Sequence, residues 1–150
     1  MSAAIGLIGG LDPSGGAGLL RDGWTVEACA PQLRVHAVVT ALTAQGRGRP
    51  AQVGPVDLDH LTRALRELAE VEGLRALKLG MLPEEALAPL VACLGELRAR
   101  APAPKIVLDP VLQASDGGRI GASPTGLLAL ARQVDLLTPN ADELVALQGA

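Results

Sequence analysis

Two hydrophobic periods alternate along the chain. Short aliphatic runs recur, and each is followed by a stretch whose apolar residues return every three or four positions. Residues 3–8 (Ala-Ala-Ile-Gly-Leu-Ile) form the first run and pass through a glycine-rich segment into a helical pattern over 17–30. Residues 33–40 (Leu-Arg-Val-His-Ala-Val-Val-Thr) carry the β-branched enrichment of a strand. Asp57 is placed to cap a helix whose Leu58, Leu61, Leu65 and Leu68 share one face. Residues 75–79 read as a strand. Pro83 is then expected at the first position of a helix with Glu84 and Glu85 in its first turn, and Leu87, Leu90, Leu94 and Leu97 on its buried face. Pro89 is expected to kink or break that helix. Residues 105–108 form the next strand, Asp116-Gly117-Gly118 a turn, and Ser123-Pro124 a helix start. Residues 134–138 read as the last strand, and Asn140 with Glu143 opens a final helix as a capping box. Strand and helix alternate five times, which predicts one α/β domain with a parallel sheet.

Composition narrows the core and the partners. The 150 residues are 49% hydrophobic but contain no Phe, no Tyr and one Trp, so the core must be aliphatic. Trp24, about 200° round a helix from Asp22, is expected in core or an interface. A net charge of −3 without a basic run argues against nucleic acid or an anionic membrane as partner. The N-terminus lacks the pattern of a signal peptide, and no apolar run reaches the ~18 residues of a membrane span, which leaves a cytoplasmic protein as the expectation. Cys29 and Cys93 belong to no C-x-x-C pattern and are expected as two buried thiols. His36, mid-strand without a nearby acid, reads as structural, and His60, off the apolar stripe, as solvated.

Candidate chemistry starts at the first strand–helix junction, Gly9-Gly10-Leu11-Asp12-Pro13-Ser14-Gly15-Gly16-Ala17-Gly18. Five glycines in ten residues suit a loop that meets a ligand with main-chain amides at a helix N-terminus. It is not a Walker A loop, because Gly16-Ala17 stands where Lys-Ser/Thr would follow, and no G-x-G-x-x-G lies at the turn. A ligand-free βα turn is the plain alternative, although Asp12, Pro13 and Ser14 add more than a turn needs. Other polar residues also follow strands: Gln45, Asp109, Asn140 and Glu143. In an open parallel sheet these ends share one edge and one crevice. Asp109 and Glu143 are oxygen ligands suited to Mg²⁺, directly or through water. Alternatively, Asp109 only starts a turn and Asn140/Glu143 only caps a helix. There is no G-x-S-x-G elbow, no Cys–His pairing and no H-E-x-x-H, and Ser14 has no evident base.

Several blocks together resemble a known family. Asp12-Pro13-Ser14-Gly15-Gly16-Ala17-Gly18 with Asp22 resembles the N-terminal signature of hydroxymethylpyrimidine/phosphomethylpyrimidine kinases, within the ribokinase-like superfamily. Residues 39–45, 78–82 and 107–111 match in order, and Asn140-Ala141-Asp142-Glu143 looks like the superfamily's N-x-x-E element. The resemblance implies a ribokinase-like three-layer sandwich with a parallel sheet. It implies ATP-dependent phosphorylation, with Mg²⁺, of hydroxymethylpyrimidine or its monophosphate in thiamine biosynthesis. Carried over, Gly10, Asp22, Gln45, Met81 and Val111 would surround the pyrimidine, and Asp109, Asn140 and Glu143 would face phosphate and metal. An amide such as Gln45 can both donate to and accept from an aminopyrimidine edge.

Leu11, Gly23-Trp24 and Thr43 depart from the family pattern, which bears on substrate preference. Family members run about a hundred residues further, so the chain resembles an N-terminal, substrate-binding portion, truncated after about five βα units. The catalytic residue and most of the adenine site are expected beyond Ala150. Residues 1–150 alone are therefore expected to bind a pyrimidine without turning it over and to self-associate, as a homo-oligomer such as a dimer. Two other readings stand beside the kinase: a non-catalytic pyrimidine- or partner-binding module, and a pyridoxal-type kinase of the same superfamily.

Overall fold

The computed structural model describes residues 2–46, 49–113 and 120–150, without the side chains of residues 45–51. Six strands form one sheet: β1 (Ala4–Leu11), β2 (Arg34–Gly46), β3 (Arg49–Pro55), β4 (Leu74–Leu79), β5 (Lys105–Leu108) and β6 (Leu136–Leu137). Five α-helices connect them: α1 (Gly18–Cys29), α2 (Leu58–Ala69), α3 (Leu87–Arg98), α4 (Pro124–Ala131) and α5 (Ala141–Gln148). The strand order is β3-β2-β1-β4-β5-β6. All neighbours are parallel except β2 and β3, so the expected parallel sheet is in fact mixed. The chain steps from β1 to β2 on one side, then crosses to β4 on the other. That puts the topological switch point between β1 and β4, where open α/β sheets place their ligands.

Side chains alternate across the sheet and divide it into two faces. Ala4, Ile8, Val38, Leu77, Leu79, Ile106 and Leu108 join Leu61, Leu65 and Leu68 of α2 and Leu90, Leu94 and Leu97 of α3 in one continuous core. Leu127 and Leu130 of α4 and Leu147 of α5 belong to the same core. Each of these leucines contributes about 1.5–3 kcal/mol of apolar transfer. Helix α1 packs on β1 and β2, and the opposite-facing Lys78 of β4 bonds to its Asp22. Along that second face the apolar cover is thinner, with Val35 and Leu136 exposed.

The helix caps follow from side-chain chemistry. Asp57 accepts from the His60 amide at α2, Ser123 from the Gly126 amide at α4, and Asn140 and Glu143 form the reciprocal box at α5. Asp135 fixes the sheet edge away from the switch point. Its carboxylate accepts from Arg98 (2.7 Å), Lys105 (3.0 Å) and the Ile106 amide (2.9 Å). The Arg98 hydrogen bond first, then those from Ile106 and Lys105, hold its pKa well below the usual carboxylate range.

Several sequence expectations are corrected. The second strand runs on to Gly46 and is followed by β3, an antiparallel edge strand that the proline and glycine content of its segment disguised. The last strand shrinks to Leu136–Leu137. Pro83 precedes a 3-10 turn (Glu84–Ala86) rather than opening the α-helix. Pro89 does not break α3, because it falls in the first turn, where its missing N–H has no helical acceptor to satisfy. The Glu84 carboxylate reaches across to the Ser123 amide and hydroxyl instead of serving its own turn. Leu58 is 46% exposed at the first turn of α2, off the buried stripe. Trp24 is 56% exposed, not core. Cys29 is exposed, whereas Cys93 is buried. Its Sγ lies 3.4 Å from the Leu65 carbonyl, and burial, then Glu96, push its pKa up to about 11. The turn expected at Asp116-Gly117-Gly118 lies outside the described residues.

Candidate functional site

A cleft of about 130 Å³ opens at the C-terminal ends of the central strands, at the switch point. Gly9 and Gly10 of β1 form its floor with Gly80 and Met81, which continue β4. The Gly80 amide donates to the Ile8 carbonyl (2.8 Å) and the Asp109 amide to the Leu79 carbonyl (2.8 Å), so pairing extends to the cleft edge. Ala17, Gly18 and Asp22 bring the start of α1 to one wall, and Asp109, Val111 and Ile120 form the other. Thr43 closes the β2 side, its hydroxyl donating to the Leu11 carbonyl (3.3 Å).

The glycine loop is held from within. Asp12 is 4% exposed, and its two oxygens accept from the Ser14 amide (2.9 Å) and hydroxyl (2.8 Å). Ser14 Oγ in turn accepts from the Gly16 amide (3.2 Å). The Asp12-Pro13-Ser14 block therefore builds a tight Asx turn, and Ser14 spends its hydroxyl there. Gly18 turns the chain into α1 with φ 64°, and a Cβ on it would overlap the Gly10 carbonyl oxygen. Only glycine lets the helix start this close to β1. Its N-cap, Ala17, supplies no side-chain acceptor, so no cap occupies the first-turn amides beside the cleft. A Cβ at Gly15 would meet the ring of Trp24, which explains where that exposed indole sits.

The cleft's electrostatic centre is a trio that sequence reasoning missed. Lys78 Nζ donates to both oxygens of Asp22 (2.9 and 2.8 Å) and lies 3.3 Å from Asp109 Oδ2. The three side chains are only partly exposed, at 27%, 22% and 35%. The signal was present: a lysine within Leu77-Lys78-Leu79, a central strand where charge is costly without a partner. Among the described lining residues Lys78 is the one cation.

Of the residues singled out from sequence, Gly10, Asp22, Met81, Val111 and Asp109 come together in this cleft. The Gln45 side chain lies outside the described residues; its backbone is in β2. Asn140 and Glu143 are engaged with each other at the start of α5. The Glu143 carboxylate accepts from the Asn140 amide (2.8 Å) and the Asn140 side chain from the Glu143 amide (2.9 Å). Neither belongs to the lining of the described cleft. Among the described residues no group of three or more His, Cys, Asp or Glu side chains converges as a metal site.

Comparison with known proteins places the chain in a family. The family model described as phosphomethylpyrimidine kinase matches residues 12–150. The chain belongs to that family. A hydroxymethylpyrimidine/phosphomethylpyrimidine kinase of Aquifex aeolicus is 34% identical over 146 residues, covering 95% of this chain and 55% of the relative. A thiamine biosynthesis multifunctional protein of Corynebacterium efficiens is 35% identical over 144 residues, 95% of this chain and 19% of the longer protein. The crystal structure of phosphomethylpyrimidine kinase from Clostridium difficile superposes with TM-score 0.82 at 27% identity, covering 99% of this chain and 63% of that one. An ADP complex of Bacillus subtilis pyridoxal kinase follows with TM-score 0.77 at 25% identity, covering 99% and 54%. The chain thus takes the ribokinase-like fold read from its motifs. It spans about half the length of the single-function relative, 55%. No described helix is long and apolar enough to cross a membrane.

Proposed function

We propose that residues 1–150 form the substrate-binding portion of an ATP-dependent phosphotransferase acting on hydroxymethylpyrimidine or its monophosphate. The observation that carries this is the cleft at the β1/β4 switch point, where backbone of the glycine loop, apolar cover from Met81 and Val111, and the Asp22–Lys78–Asp109 trio meet. An aminopyrimidine offers a flat ring for the apolar cover and an amino group for a carboxylate. Asp22, on the α1 wall of the cleft, would accept from it, and Gln45 would complete the pairing from β2. Main-chain amides at the start of α1 favour negative charge nearby.

The residues fit Mg²⁺ only in its hydrated form. This ion usually keeps several waters and takes one or two carboxylates with substrate phosphates. Asp109 at the cleft edge suits an outer-sphere role, and Asn140 and Glu143 would contribute on the phosphate side only by releasing their capping box. When bound, the ion would neutralise phosphate charge. The chain's own part is to hold the pyrimidine, orient its hydroxymethyl group and exclude water beneath Met81.

A cytoplasmic location accords with this small-molecule role. Exposed apolar side chains along the sheet, Val35, Leu42 and Leu136, support association of copies into a homo-oligomer, a dimer in the simplest case. Calorimetric titration of the chain with hydroxymethylpyrimidine, with pyridoxal in parallel, tests the substrate reading. Saturable one-site binding of the pyrimidine, tighter than pyridoxal, is expected. Tighter pyridoxal binding would transfer the chain to the pyridoxal-type reading, and binding of neither would overturn both.

A further inference from the structure

The geometry points to Lys78 as the residue that sets the cleft's tolerance for substrate charge: it admits a phosphorylated pyrimidine, whereas the unphosphorylated alcohol scarcely depends on it. This rests on the cleft being a pyrimidine site, as proposed above. Lys78 Nζ faces two carboxylates from different elements, Asp22 on α1 at 2.8 Å and Asp109 after β5 at 3.3 Å. With all three ionised the trio carries one net negative charge. Asp12, the other carboxylate of the lining, is closed on Ser14. No second cation lines the described cleft. A phosphate monoester brings close to two further negative charges at neutral pH, and among the described lining residues Lys78 is the cation that offsets Asp22 and Asp109 as it enters.

The two substrate forms separate this role from a purely structural one. Without the ammonium the described lining would hold three carboxylates and no cation, with Asp22 and Asp109 losing the charge that faces them. Unit charges a few ångströms apart in a partly exposed site interact by a few kcal/mol before salt screening. The dianionic monophosphate should therefore lose roughly ten- to a hundredfold in affinity, an order-of-magnitude expectation from the same screened interaction. The neutral alcohol should change by less than about threefold, since it meets no net Coulomb term. A clamp that only straps α1 to the sheet would affect both ligands alike.

The experiment is calorimetric titration of the 150-residue chain and of Lys78→Met with hydroxymethylpyrimidine and with its monophosphate, without nucleotide. Selective loss of the monophosphate is expected, and Lys78→Met/Asp109→Asn, which returns the local charge to one negative, should recover much of it. Equal loss of both ligands, or loss of neither, overturns the assignment while leaving the pyrimidine site standing. Failure of the wild-type chain to bind either ligand overturns the pyrimidine reading itself and this inference with it. Should Lys78→Met not fold, NMR of the wild-type Lys78 side chain decides. Its resonances should move with the monophosphate and stay with the alcohol; equal movement with both, or with neither, refutes the role.

Discussion

Replacing Gly18 by alanine tests whether the start of α1 must lie against the end of β1. The added methyl overlaps the Gly10 carbonyl oxygen, a backbone atom that no rotamer change can move. It also places an L side chain at φ 64°, which costs about 1–2 kcal/mol. Relieving the overlap means moving α1 away from β1, an overpacking penalty of about 1–3 kcal/mol. The sum, about 2–5 kcal/mol, is a large part of the ~5–15 kcal/mol that holds a domain together. Urea unfolding followed by circular dichroism is the assay. At a slope of ~2 kcal/mol per molar, the middle of the usual range, the midpoint should fall by about 1–2.5 M. Gly23→Ala in the same helix is the control, because an added Cβ there meets nothing within 4 Å. It should gain roughly 0.5–1 kcal/mol from helix propensity. If the two variants shift the midpoint equally, the close approach of α1 to β1 is wrong, and so is the cleft wall built on it.

Other consequences are open to measurement. Gln45→Ala should weaken hydroxymethylpyrimidine binding by about 1–3 kcal/mol, because a ligand polar group loses its partner; unchanged calorimetric affinity would remove Gln45 from the site. Asp135 has a folded-state pKa below its ordinary 3.8, so its contribution to stability is complete above that value and is lost as pH falls. Asp135→Asn should accordingly be less stable than wild type at pH 7, with the gap closing below about pH 4; a gap independent of pH would contradict the ion-pair account. A thiol reagent at pH 8 should modify Cys29 rapidly and Cys93 only on unfolding, since one is exposed and the other buried with its pKa near 11.

Much of this architecture was legible because local chemistry agreed with the fold. The loop-to-helix junction at residues 12–18, the cap at Asp57 and the box at Asn140 and Glu143 are each determined within a few residues, and all three appear. Strand β3 was not legible: its two prolines and a glycine look like loop, and only its edge position, where a missing N–H costs little, lets them pair with β2. Trp24 lies outside the core because its ring sits against the bare surface of Gly15, a contact made by the fold of the loop rather than by helical phase. Asp22 and Asp109 could be named from motif, yet their connection through Lys78 joins positions 22, 78 and 109, which no local pattern brings together. Glu143 shows the converse. A residue with the right spacing for a ligand is engaged in the helix cap that its spacing equally predicts.

The most direct test of the central claim is NMR mapping of hydroxymethylpyrimidine on the ¹⁵N-labelled chain. The account predicts saturable shifts concentrated on the amides of Gly9, Gly10, Gly18, Gly80, Met81 and Val111, the backbone that lines the switch-point cleft. Saturable shifts confined to residues elsewhere, or none up to the ligand's solubility, would contradict it.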